Sequence, residues 1–219
     1  KLRRSVRGGS FFEFSDLSLR KLLLIVINFA AGSAAYNTAN RLRINRKSVG
    51  RVYKKMRARW RQDLTRDPIS FTNGFEFEID ELFLRHIRRQ DGAHGTQWIM
   101  GMLERATGKV LFFRVPDRSA LSLIPPIIVA VPNGSFVYTD DWSAYRSLVA
   151  LPYHHHSVNH SAGEYQRWDQ VGNIWLNVHI NTLEGVNGDV RRKFHNKQNI
   201  TYQRIDMYLE EVVYRRSGR

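Results

Sequence analysis

Residues 75–84 read FEFEIDELFL, and their alternation decides the fold. Phe75, Phe77 and Ile79 fall on one face of an extended strand, and Glu76, Glu78 and Asp80 fall on the other. An acid on the polar parity of a hydrophobic strand can project from a sheet into a cleft. The same alternation turns Glu81 to the apolar side, so Asp80 is the preferred functional carboxylate of the pair.

Working outward toward the C-terminus, TQWIMGMLE and KVLFFRV read as two strands joined at Ala106-Thr107-Gly108, a hairpin. Ser119 is placed to cap a helix reaching about Ala130. Pro132-Asn133-Gly134 turns into the strand SFVYTD, which ends on Asp140 in preference to Asp141. A short helix over 142–148 follows, then a strand near 155–160. A helix begins near His179 and runs past Arg192, and a last one covers 201–215. On the first of these two, Leu183, Val186, Val190 and Phe194 make an apolar stripe, while Glu184 shares a polar flank with Arg191. Strand–strand–strand–helix–strand–helix–strand–helix, with acids on the first and fourth strands and on the helix after the last strand, matches the ribonuclease-H-like fold. The expectation is an α/β (α+β) mixed-sheet domain over residues 67–219.

Toward the N-terminus the pattern is helical. Residues 1–17 form a basic, Gly/Ser-containing arm. Leu19, Leu22, Leu23, Val26, Ile27 and Ala30 then follow the i, i+3, i+4 rule, and Gly32 offers a stop. A second helix covers 34–42. Asn45 caps a third, from Arg46 to about Arg61, with Val49, Val52, Tyr53, Met56 and Trp60 on one side and Lys47, Arg51, Lys54, Lys55, Arg59 and Arg61 on the other. Residues 18–66 thus read as a helix-turn-helix whose last helix enters a major groove. A plain helical bundle with a solvated charged face is the alternative.

Composition narrows the partner. The 219 residues carry 34 Lys+Arg against 20 Asp+Glu, a net charge of +14 spread over folded-looking segments. Such a balance points to a polyanion, and to nucleic acid in preference to a membrane. The longest apolar run, Leu22 to Ala31 with Asn28 inside it, is well short of the roughly 20 residues that span a bilayer. With no cysteine, the chain has no disulfide and no cysteine-ligated zinc. The chain opens on Lys1, which reads as a trimmed or processed product.

Asp80, Asp140 and Glu184 are the carboxylate set that can hold two divalent metals against a phosphodiester. Two Mg²⁺ (or Mn²⁺) ions about 3.5–4 Å apart neutralise the phosphate, activate the entering oxygen and stabilise the leaving one. Both ions accept oxygen ligands and retain waters, so few carboxylates suffice. His154, His155, His156 and His160 suggest zinc only weakly, because neighbouring strand residues point to opposite faces. Trp142 and Tyr145 read as core or cleft-wall residues.

In this order, FEFEIDE, WIMGMLERATGKVLFFRVPDRSA, GSFVYTDDWSAY, HHHSVNHS and HINTLEG resemble the catalytic domain of DDE transposases of the Merlin superfamily and their bacterial insertion-sequence relatives. GSFFEFSDLSLRKLLLIVINFAAG through INRKSVGRVYKKMR resembles the helix-turn-helix of that family. The resemblance implies Asp80, Asp140 and Glu184 as catalytic, metal-binding residues, with Asn159, His160, His179 and Asn181 as active-site surroundings. It implies double-stranded DNA as partner, both terminal inverted repeats and target, with Arg46, Lys47, Arg51, Lys54, Lys55, Arg191 and Arg192 as DNA-binding residues. Bringing two DNA ends together implies a homodimer or higher oligomer, and the location would be the nucleus in a eukaryote, otherwise the cytoplasm or nucleoid. Two features depart from the family: the cysteine-rich zinc ribbon is missing, and Val186-Asn187 stands where an aromatic often follows the glutamate. A domesticated DNA-binding protein and a nuclease or resolvase without joining activity are the rival readings.

Overall fold

The computed structural model describes residues 7–13, 15–71, 75–88, 94–195 and 200–218. It divides into two compact units, Lys1–Arg66 and Asp67–Arg219.

In the first unit, α1 (Leu19–Ala30), α2 (Ala35–Leu42) and α3 (Arg46–Arg66) enclose one small core. Ser18 caps α1 by accepting from Lys21 N–H, which fixes the start that the apolar periodicity predicts. Between α2 and α3 the chain turns through Arg43 in the left-handed region (φ 50°). Leu22, Ile25 and Phe29 of α1 meet Val49, Val52 and Tyr53 of α3. The third helix is longer than its sequence reading by five residues, ending at Arg66 instead of Arg61. Phe11 and Phe12, inside the segment read as an arm, pack against this core, and residues 1–6 lie outside the described ones.

The second unit is built on one mixed sheet in the order β3-β2-β1-β4-β5. Its strands are β1 (Glu76–Arg88), β2 (His94–Glu104), β3 (Val110–Val115), β4 (Phe136–Asp140) and β5 (His154–Val158). β1, β2 and β3 form an antiparallel meander, and β4 and β5 continue the sheet parallel to β1. This is the ribonuclease-H-like arrangement that the element order predicts. One face is covered by α4 (Ala120–Ala130) and the 3₁₀ segment Ser143–Ala150, through Leu123, Ile127, Tyr145 and Leu148 on Phe77, Ile79, Met100, Met102 and Val137. The other is covered by α5 (Asn181–Phe194) and α6 (Tyr202–Arg216), through Val190, Phe194, Ile205 and Leu209 on Leu82, Leu84, Ile87 and Ile99. The parity of β1 therefore holds, except that Phe75 precedes the strand and is exposed. No helix among the described residues is long and apolar enough to cross a membrane.

Three further differences from the sequence reading lie after β5. A hairpin of β6 (Arg167–Val171) and β7 (Ile174–Val178) lies between β5 and α5, where no element was expected. Its inward face is partly ionic, Arg167 binding Asp169 and Asp169 binding His156, while Trp168 and Trp175 point outward, which inverts the usual amphipathic signal. A short β8 (Ile200–Thr201) adds to β1 just before α6. His179 precedes α5 instead of opening it.

Candidate active site

The parallel pairing of β1 with β4 sets the site. Their ladder matches Glu76 with Phe136, Phe77 with Val137 and Glu78 with Tyr138, and there it ends. Two residues further along each strand stand Asp80, inside the long β1, and Asp140, the last residue of β4, so the two carboxylates come side by side just past the end of the parallel ladder. Oxygen atoms of Asp80, Glu81 and Asp140 lie within 4.8 Å of one another.

Each acid is held by named donors. Asn187 Nδ2 donates to Asp80 Oδ2 at 2.8 Å. Trp142 N–H donates to Asp140 Oδ1 at 3.2 Å, and Arg118 Nη2 donates to Asp140 Oδ2 at 3.1 Å. Glu81 is buried, its Oε1 accepting from the Tyr145 hydroxyl and its Oε2 from Arg118 Nε at 2.7 Å. The Arg118 guanidinium also stacks over the Trp142 ring at 4.2 Å, and Trp142 Nε1 donates to the Arg118 carbonyl at 2.8 Å.

Burial pushes the Asp80 carboxyl up to about 6; the Asn187 hydrogen bond opposes this, the Asp140 charge adds to it, Arg191 opposes it and Glu184 adds to it. Burial likewise pushes Glu81 up to about 7, against the pull of Arg118 and with the push of Asp140 and Asp80.

Glu184 arrives on the first turn of α5, outside the three-acid cluster but close enough for its charge to act on Asp80. It is part-exposed, and His160 Nδ1 lies 3.5 Å from its Oε1. Two features place α5. Gly101 pairs with Asp80 across β1 and β2, and a Cβ there would stand 3.0 Å from Leu183 and 3.3 Å from Asn187 Oδ1. A side chain at 101 would press on Leu183, Phe112 and Asn187, so the glycine eases the close approach of the helix. Glu78, fully buried, accepts from Leu183 N–H at 2.8 Å and so supplies the N-terminal partner that the Ile180 cap lacks. Arg105 holds Glu78 at 2.9 Å and also binds the carbonyls of Asn177 and His179.

Of the residues expected around the site, His160 reaches Glu184, and Asn159 caps the turn at His160 and binds Asp141 at 3.3 Å. Arg191 reaches the Glu81 carbonyl at 3.5 Å. His179 lies instead beside Glu78, 3.4 Å from Oε1, and accepts from Asn181 N–H. Arg192 turns to Asp189. Arg46, Lys47, Arg51, Lys54 and Lys55 are exposed on α3 in the other unit, where Lys55 Nζ is 3.4 Å from the carbonyls of both Phe11 and Glu13. His155 bonds Thr139 and His156 bonds Asp169, which occupies both in structural contacts. Sequence reasoning missed Arg118, Asn187, Gly101 and the structural use of Glu78; it weighed Glu81 and set it aside.

The donor set suits a hard divalent ion. It is all carboxylate oxygen, and Asp80 keeps Oδ1 outside its bond to Asn187. Among the described residues, the buried atoms Asn187 Oδ1 and His160 Nε2 have no hydrogen-bond partner.

A family model described as an ISXO2-like transposase domain matches residues 73–217. The chain belongs to that family. The match covers the sheet, all three acids and α5, so the transposase domain and the second compact unit nearly coincide. No curated protein matches the transposase chain in sequence. Among solved structures, it is similar to a chain of the simian T-cell lymphotropic virus intasome in complex with PP2A regulatory subunit B56 gamma, at 9% identity and TM-score 0.38, covering 87% of this chain and 66% of that one. It is also similar to the pre-cleavage Mos1 transpososome, at 10% identity and TM-score 0.29, covering 93% and 79%. The Mos1 strand transfer complex matches at 12% identity and TM-score 0.29, covering 94% and 81%. Family membership rests on residues 73–217 and the fold on the strand order, and neither depends on these distant likenesses.

Proposed function

We propose that the chain is a metal-dependent DNA transposase that cuts at transposon ends and joins the freed 3′-hydroxyl to target DNA. The observation that carries this reading is the convergence of Asp80 and Asp140 on the adjacent parallel strands β1 and β4, beside the helix that bears Glu184, in a chain of the transposase family. The +14 charge suits a polyanionic substrate.

Asp80 and Asp140 would hold a pair of Mg²⁺ or Mn²⁺ ions, with Glu184 completing the second site. Ions bound there supply charge neutralisation of the phosphate and activation of the entering oxygen. Asn187, Trp142 N–H and Arg118 keep the two aspartates in fixed orientations, so little rearrangement accompanies binding. His160 steadies Glu184, and Arg191 stands beside Asp80 as a cation for the DNA backbone. In the first step water forms a new P–O bond and the strand's 3′-oxygen leaves as a hydroxyl. In the second that hydroxyl attacks a target phosphodiester, one P–O bond replacing another, so no external energy source is required. The helices α1–α3 would read the terminal inverted repeat, with Arg46, Lys47, Arg51 and Lys54 among the contacts.

A labelled duplex carrying the transposon end, incubated with Mg²⁺ or Mn²⁺ and target DNA, tests the reading. Cleaved and joined products are expected from the native chain and not from Glu184→Gln, with DNA binding retained by both. Binding without products from either protein would overturn the enzyme reading, and cleavage without joining would reduce it to a nuclease.

A further inference from the structure

Helix α4 reads ALSLIPPIIVA, eleven residues without a single charge in a chain of which 25% is charged. Leu123 and Ile127 dock it on the sheet. On its opposite side Leu121, Pro125, Ile128 and Val129 lie at i, i+4, i+7 and i+8, and all four are exposed. Leu121 is 90% exposed, Val129 84% and Ile128 51%. Val149, on the 3₁₀ segment packed against α4, is 77% exposed as well. A scattered surface leucine needs no explanation, but a row of apolar side chains at helical spacing marks a contact surface.

Charge selects the occupant. The row has no cation and no hydrogen-bonding side chain, so it offers nothing to a phosphate backbone. Two copies of a chain carrying +14 repel over most of their surfaces and meet at least cost where neither presents charge. A single helical row is also its own complement: run antiparallel across a two-fold axis near Pro125, Leu121 of one copy faces Val129 of the other.

We propose that the outer face of α4 is a self-association surface on which a second copy of this chain docks its own α4. The row is small beside the roughly 800 Å² per partner of a standard interface. The dimer is therefore weak and concentration-dependent in free solution. Resting on the transposase reading, its use is to pair two chains already held on two DNA ends, where linkage raises the effective concentration.

Sedimentation velocity on the DNA-free full chain, from about 1 to 300 µM, tests the surface separately from catalysis. The native chain is expected to pass from monomer to dimer, and Leu121→Glu/Val129→Glu to stay monomeric. That double change lowers the net charge by two, from +14 to +12, which by general repulsion alone would favour association. Loss of the dimer thus reports the face itself. A native chain monomeric throughout, or a double variant that assembles like it, overturns the proposal. A second readout does not depend on how the variant folds. The chain has no cysteine, so Pro125→Cys should give a disulfide dimer on mild oxidation while Asn173→Cys, in the β6–β7 turn, does not. Equal cross-linking from both would also overturn it. A DNA-cleavage failure with a normal dimer would count against the transposase reading alone.

Discussion

At the scale of single residues, the site depends on side chains that no motif announces. Arg118 sits in the loop before α4, and its guanidinium touches Glu81, Asp140 and the Trp142 ring at once. Glu81 uses one oxygen for Arg118 and the other for Tyr145, so it acts as the anchor of that arginine. Outer groups that orient metal ligands typically contribute ten- to hundredfold in affinity. Arg118→Gln is therefore expected to weaken Mn²⁺ binding about 10- to 100-fold, with DNA affinity nearly unchanged, in a Mn²⁺ titration of the folded protein. Unchanged or tighter Mn²⁺ binding would rule this out. In the sequence, Asp80 was legible because strand parity is a property of near neighbours. Arg118 was not, since a loop residue carries no period and its partners lie 22 and 37 positions away.

At the scale of elements, α5 is where the chain joins the two halves of the site. It starts without a side-chain cap of its own and borrows Glu78, a buried carboxylate on β1, which Arg105 neutralises. A charge-assisted bond of this kind contributes about 1.5–3 kcal/mol. Glu78→Gln should lower stability by about 2 kcal/mol in urea titration, and should loosen the α5 amides near Leu183 in hydrogen exchange. No change in either would mean that α5 is held by its apolar stripe alone. The stripe of α5 was readable from Leu183, Val186, Val190 and Phe194. The burial of Glu78 was not, because its parity alone suggested a solvated acid. The β6–β7 hairpin did leave a trace in the two-residue turn Gly172-Asn173 between alternating runs. Its ionic inner face and exposed tryptophans masked the rest.

At the scale of the whole molecule, the acid cluster makes stability depend on pH. Asp80 and Glu81 hold protons in the folded chain up to about 6 and 7, above their ordinary carboxylate range. Between pH 4 and 7 the native state therefore binds more protons than the unfolded one, and this contribution to stability is lost as pH rises. His155, pushed down to about 4 by burial, works the other way, its contribution being lost as pH falls below the usual histidine range. The difference between native and Asp80→Asn isolates Asp80 from that opposing group. The variant's stability relative to the native chain should grow by about 2–3 kcal/mol between pH 4 and pH 7.5, read from urea midpoints. A difference independent of pH would show that Asp80 titrates normally.

By itself the sequence determined the basic character of the chain, the parity of β1, the stripe of α5, the helices of the first unit and the order of elements around the three acids. All of these follow from charge and from periodicities between near neighbours. The tertiary structure alone decided that Asp80 and Asp140 stand side by side, that Glu81 joins them through Arg118 and Tyr145, that Gly101 admits α5, and that one side of α4 is left uncovered. These depend on the parallel register of β1 with β4 and on contacts between residues up to 110 positions apart, as from Glu81 to Arg191. Local pattern specifies which way a side chain points, and only the packed sheet specifies what it meets there.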